Sequence, residues 1–174
     1  MDTKNNTILI TGGGSGIGRG LAEAFHKRGN QVIISGRRTN VLDEVTAANP
    51  GMNSLALDIE DPAGVKAFAA KIIAGFPMLN AVIHNAGIQR LENLRELKDV
   101  RDSEALVATN VLGPIRLNAA LLPQLLKQPK ATVMTVSSDL AFVPLAAFPT
   151  YSATKAFDDR RQGDSHAGGK EVTD

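Results

Sequence analysis

Tyr151 is the only tyrosine in the 174-residue chain, and Lys155 follows four positions later. On a helix that spacing puts both side chains on one face. A free phenol titrates near pH 10, too high for easy proton exchange at neutral pH. An ammonium about 4 Å away, at an effective dielectric of about 20, favours the phenolate by roughly 4 kcal/mol. The pair therefore has the chemistry to protonate a carbonyl oxygen, or to take the proton of an alcohol in the reverse direction. Ser138 lies thirteen residues before Tyr151, at the end of the apolar run Ala131–Ser137. A hydroxyl at the carboxyl edge of a parallel sheet faces the ligand crevice, where it can align a substrate oxygen. Ser137 then points away, because strand side chains alternate. Taken singly, Tyr-x-x-x-Lys is an ordinary exposed helix face and Ser137-Ser138 an ordinary strand-end turn.

The second constellation is Thr11-Gly12-Gly13-Gly14-Ser15-Gly16-Ile17-Gly18, set between an apolar run and a helical pattern. Such a turn must bend sharply, let backbone approach a diphosphate and pack the helix against the sheet, and side chains obstruct all three. The helix N-terminus then offers free N–H groups and the positive end of a dipole. The glycine spacing (three residues, then one) differs from the commoner G-x-G-x-x-G. A glycine-rich turn without a ligand is the alternative.

Short apolar runs must position these residues. They cover Thr7–Thr11, Gln31–Ser35, Asn53–Leu57, Asn80–Asn85 and Ala131–Ser137. Most show little alternation, as suits strands buried on both faces. Helical patterns fall between them. Ile17–Arg28 places Leu21, Ala24, Phe25 and Arg28 near one face and closes at Gly29-Asn30. Thr39–Ala48 ends before Asn49-Pro50-Gly51. Pro62–Ala74 has Asp61 as N-cap and proline at its first position. Ser103–Leu126 contains Gly113-Pro114, which predicts a kink or break there. Alternating strands and helices predict an α/β fold: a doubly wound parallel sheet covered by helices on both sides, in three layers.

Composition narrows the classes. Hydrophobic residues make up 43% and charged residues 21%, the balance of a soluble globular protein. The formal net charge of +1 gives no general attraction for nucleic acid or anionic membrane. The absence of cysteine removes disulfides, thiolate nucleophiles and cysteine-based zinc sites. His26, His84 and His166 match no metal spacing, so no metal is expected. No secretory signal is visible, and no run approaches the roughly 20 apolar residues of a membrane span. The expected location is cytoplasmic.

Together Thr11–Gly18, Asn85-Ala86-Gly87, Asn110, Ser138, Tyr151 and Lys155 resemble, in order, the motif set of classical short-chain dehydrogenase/reductases. The resemblance covers roughly residues 5–157. Residues 84–90 also resemble oxidoreductases encoded beside D-alanylation genes. The resemblance implies a Rossmann-type sheet of order 3-2-1-4-5 and hydride transfer between a nicotinamide and a carbonyl or alcohol. It implies Asn110, Ser138, Tyr151 and Lys155 as catalytic residues. Gly12, Ser15, Gly16, Ile17, Gly18, Asp58, Ile59, Asn85, Ala86 and Gly87 are implied as cofactor-binding, together with Tyr151 and Lys155, which would hold the ribose. Asp58 resembles the aspartate beside the adenine, and a turn or cap role fits it equally. Asn85-Ala86-Gly87 leaves room for cofactor, steadies a strand end, or both. Asn110 resembles the asparagine that helps to hold a water near the lysine.

In this fold an acidic residue ending the second strand binds the ribose hydroxyls of NAD. Here the strand ends in Gly36-Arg37-Arg38, without a carboxylate. A guanidinium suits a ribose 2′-phosphate, so NADP(H) is favoured over NAD(H), with Arg37 the first contact and Arg38 in support. Ser15 argues the other way, since some NADP-dependent relatives carry a basic residue at its position. Relatives continue well past Lys155, whereas Ala156-Phe157 is followed by residues 158–174, almost without apolar groups. That stretch is expected to be a disordered tail, the Rossmann domain to end at 157, and the later strands to be missing. The family is usually homo-oligomeric, and one interface helix is then cut short. Two functions compete: an NADP(H)-dependent oxidoreductase acting on a small carbonyl or alcohol, and a non-catalytic fragment that binds the dinucleotide.

Overall fold

The computed structural model describes residues 3–96 and 99–167, with side chains described as far as Asp159. Five parallel strands form one sheet: β1 (Thr7–Thr11), β2 (Gln31–Gly36), β3 (Asn53–Ala56), β4 (Leu79–His84) and β5 (Thr132–Thr135). Their order is β3-β2-β1-β4-β5, as expected. Every residue of β1 is buried, as its lack of alternation predicts.

Two apolar layers sandwich the sheet. Ile8 and Ile10 of β1 with Val32 and Ile34 of β2 meet α1 (Gly16–Lys27) and α2 (Thr39–Ala48), where Ala22, Leu42 and Val45 are buried. Leu9, Ile33 and Val82 point the other way. They meet α3 (Pro62–Gly75) and α5 (Gly113–Leu125) through Val65, Phe68, Ile72, Leu117 and Leu121. The stripe α1 turns inward is Gly18, Leu21, Ala22 and Phe25. Ala24 and Arg28, expected on that face, are exposed. The stripe starts at Gly18 because the helix must enter its turn in contact with the sheet. Asp61 caps α3 as predicted, its carboxylate accepting from the Ala63 N–H at 3.0 Å.

A continuous helical run, Arg101–Leu125, comprises α4 (Arg101–Val107), a π-helical turn at Ala108–Leu112, and α5. The irregularity expected at Gly113-Pro114 lies one turn earlier. Pro114 has no N–H to give the carbonyl of Asn110, so the preceding turn widens and Gly113 N–H bonds Ala108, five residues back. By length and composition this run could cross a membrane, contrary to the expectation from apolar runs. Within the fold α5 packs against α3, and Leu106, Leu117, Leu121 and Leu125 are buried.

The last helix, α6 (Pro149–Ala167), runs past residue 157 into the stretch expected to be a tail. It packs against α4, the π turn, β5 and a 3₁₀ turn at Asp139–Ala141. Once a helix is nucleated at Pro149–Lys155, each further residue costs far less than the first turn did. Residues 168–174 of the expected tail lie outside the described residues.

Candidate functional site

The carboxyl ends of β1 to β4 open into a cleft of about 390 Å³, a volume suited to a small-molecule or cofactor site. The glycine-rich turn forms one wall. Gly12 and Gly16 have φ of +68° and +54°, conformations that side chains other than glycine rarely adopt. A Cβ on Gly18 would sit 2.3 Å from both the Gly12 oxygen and Asn85 Nδ2, so only glycine lets α1 approach this closely. Gly12, Ser15 and Ile17 line the cleft, whereas Gly16 and Gly18 shape the turn from outside its lining.

The N-terminus of α1 is open to a ligand. Ser15 holds the N-cap position, yet its side chain makes no capping bond and the first turn has no acidic residue. Its hydroxyl instead accepts from Arg38 Nη2 at 3.1 Å. At the end of β2, Ser35 is among the residues lining the cleft, and its hydroxyl is wholly buried with no hydrogen-bond partner among the described residues. Free helix N–H groups, an orphaned hydroxyl and two guanidinium groups fit a phosphorylated dinucleotide.

Thr11, which sequence reasoning left out of the site, ties the two walls together. Its hydroxyl accepts from the N–H groups of Asn85 and Ala86, each at 3.1 Å. Asn85 Nδ2 returns bonds to the oxygens of Thr11 and Gly12. Asn85, Ala86 and Gly87 all line the cleft, and the bonds to Thr11 fix the first two at the strand end. Asp58 also lines it and accepts from the Glu60 N–H at 3.1 Å, the turn bond expected of an Asx residue. Ile59 packs on Gly113, where a Cβ would meet it at 2.6 Å. Glu60, also missed, lies 3.5 Å from Arg37 and accepts from Thr109 Oγ1 at 2.6 Å. Nothing local marks either partner, because the contacts join α4's continuation to the loop after β3.

A second group stands beside the cleft and is not part of its lining. On α6, Lys155 Nζ lies 5.9 Å from the centroid of the Tyr151 ring. Lys155 donates to the Val136 oxygen at 2.8 Å, which anchors α6 to the chain just after β5. Asn110, in the π turn, joins the two groups. Its Oδ1 accepts from Ile88 N–H at 2.9 Å, and its Nδ2 donates to the Ile88 oxygen and to Thr154 Oγ1. Thr154 in turn donates to the Tyr151 carbonyl at 2.7 Å. A chain of contacts thus runs from the loop after β4, which lines the cleft, to the helix that carries Tyr151. Ser138 caps the 3₁₀ turn packed on α6: its hydroxyl donates to Asp139 Oδ1 and accepts from Leu140 N–H. The Ser137 hydroxyl is buried without a partner among the described residues.

Glu92 is the buried carboxylate that sequence reasoning passed over. It accepts from Ser103 Oγ at 2.6 Å, from Thr150 N–H at 3.0 Å and from Thr150 Oγ1 at 2.9 Å. Burial pushes its pKa up, but these bonds outweigh that and hold it below the usual carboxylate range. It fixes the first turn of α6, one residue before Tyr151. Among the described residues no group of three or more His, Asp or Glu could hold a metal ion.

Comparison with known proteins agrees with this arrangement. Residues 6–159 match the family model described as short chain dehydrogenase. The uncharacterized oxidoreductase DltE of Bacillus subtilis is 38% identical over 90% of this chain and 62% of its own. Serine 3-dehydrogenase of Agrobacterium fabrum is 34% identical over 88% and 61%. The chain thus spans about six-tenths of the length of these relatives. A short-chain dehydrogenase structure from Streptomyces avermitilis superposes with a TM-score of 0.86 at 33% identity, covering 94% of this chain and 60% of that one. One from Shigella flexneri, complexed with NADP, gives 0.87 at 27% identity over 98% and 74%. The sheet order, the glycine-rich turn, the Tyr151–Lys155 helix and a family match over most of the sequence converge: the chain belongs to the short-chain dehydrogenase family.

Proposed function

We propose that the protein binds NADP(H) in the cleft above β1 to β4 and interconverts a small carbonyl compound and its alcohol. One observation carries this reading: the Tyr151–Lys155 pair on α6 is coupled through Thr154, Asn110 and Ile88 to the wall of the cleft that the glycine-rich turn lines. The nicotinamide supplies or accepts the hydride. The N–H groups at the start of α1 hold the diphosphate, and Gly12 and Gly18 let the backbone approach it. Arg37, with Arg38 in support, binds the 2′-phosphate, which competes with Glu60 for the Arg37 guanidinium. Asp58 and Ile59 face the adenine end, and Asn85-Ala86-Gly87 give room to the ribose.

Tyr151 gives its phenolic proton to the carbonyl oxygen, or takes the alcohol proton in reverse. Lys155 favours the phenolate and holds ribose hydroxyls. Ser138 orients the substrate oxygen. Asn110 braces the loop after β4 against α6. The test is steady-state oxidation of NADPH with a panel of carbonyl compounds, wild type against Tyr151→Phe. Turnover that falls at least about a hundredfold in the variant, with cofactor binding retained, supports the reading; equal turnover overturns it.

A second reading, dinucleotide binding without turnover, is favoured by where one hydroxyl and one ammonium point. Ser138 is engaged with Asp139, and Lys155 with Val136 and Asp158. Saturable binding with no turnover on any carbonyl would select it.

A further inference from the structure

The ammonium of Lys155 meets a second charge on its own helix. Its Nζ lies 3.5 Å from Oδ2 of Asp158, and the two side chains are only 8% and 6% exposed. At a spacing of three residues the groups stack along one face of α6. So close and so dry, a carboxylate offsets much of the field that the ammonium exerts on a third group. The elements packed against α6 bring few competing charges. They are Asp139 on the 3₁₀ turn and Arg101, Asp102 and Glu104 on α4, while the π turn and β5 carry none. All four are exposed, so water and salt screen them. Glu92, also buried, reaches the first turn of α6 through Thr150, whereas Asp158 is the buried carboxylate placed directly on Lys155.

We propose that Asp158 is a restraining counter-ion, holding the Lys155 ammonium against the Val136 carbonyl and offsetting its charge at Tyr151. The proposal rests on the reading of Tyr151 and Lys155 as a proton-transfer pair and adds a residue that sets its strength. Asp158 acts through Lys155 and is a positioning residue. Removing its charge makes Tyr151 ionise more readily and, where turnover occurs, moves the rising, acid-side limb of alcohol oxidation to lower pH.

The chain offers a direct readout. Tyr151 is the only tyrosine and there is no tryptophan, so tyrosinate absorbance reports this one group without substrate or turnover. The full chain is titrated, with circular dichroism at each pH to restrict the data to folded protein. Asp158→Asn keeps the size and an oxygen for Lys155. The expected result is a midpoint lower than wild type by roughly half a pH unit or more, the effect of one unit charge several ångströms away under partial screening. An unchanged or raised midpoint overturns the proposal. Should Asp158→Asn fail to fold, Asp158→Ser, which also removes the charge while keeping Lys155, is titrated against wild type. An unchanged or raised midpoint there overturns the proposal in the same way. Carbonyl turnover is measured separately. A midpoint shift without turnover rejects the enzyme reading and leaves the counter-ion standing; turnover without a shift does the opposite.

Discussion

Arg37 and Glu60 face each other at 3.5 Å with side-chain exposures of 58% and 31%, an open ion pair of the kind that contributes little by itself. Its interest lies in what displaces it. A 2′-phosphate offers the guanidinium a doubly hydrogen-bonded partner. Arg37→Asp is therefore expected to weaken NADP(H) binding about tenfold or more, since a hydrogen bond to a charged group contributes about 1.5–3 kcal/mol. NAD(H) binding should change far less. Fluorescence titration with both cofactors checks this, and equal losses would remove the phosphate assignment. At Gly18 the argument is steric. In Gly18→Ala the new Cβ meets the Gly12 oxygen and Asn85 Nδ2 at 2.3 Å, so α1 must move away from the turn. A stability loss of about 1–3 kcal/mol in urea unfolding is expected, together with weaker cofactor binding.

Among the elements, α6 depends most on a side chain outside it. Glu92 grips Thr150 and Ser103, and so ties the starts of α6 and α4 to one loop. Its pKa is lowered in the fold, so the sign is clear: the carboxylate stabilises the protein above its ordinary value of 4.5, and that contribution is lost as pH falls below it. Glu92→Gln is expected to lower thermal stability at pH 7 and to remove part of the fall in stability between pH 5 and 3. Parallel pH-dependent melting curves in both proteins contradict this. The strands and α1 to α3 were legible because they carry signals along the chain: unbroken apolar runs such as Ile8-Leu9-Ile10, and the Asp61-Pro62 cap. Asn110, Tyr151 and Lys155 were legible by spacing and order. Thr11, Glu60 and Glu92 were not, because their bonds reach partners 11 to 75 positions away. The π turn was placed one turn late because its cause, Pro114, acts on the turn before it. The end of α6 was misread because polar composition from Asp158 onward resembles a tail, while Asp158 itself points inward onto Lys155.

Among the described residues, the sheet has β3 and β5 at its edges. On β5, Val133 and Met134 are 42% and 40% exposed. An exposed apolar edge strand is a template for pairing with another chain. Concentration-dependent self-association is expected, and Val133→Lys should reduce it in sedimentation-velocity runs. Identical profiles for the two proteins would show that this edge takes no part.

The central claim is that the turn at Gly12–Gly18 and the start of α1 hold a dinucleotide diphosphate, which brings the nicotinamide toward Tyr151. Calorimetric titration of NADPH into the folded wild-type chain, beside Gly18→Ala, tests it most directly. The prediction is saturable binding near one equivalent per chain, markedly weakened in the variant. Folded wild-type protein that binds neither NADPH nor NADH would contradict it.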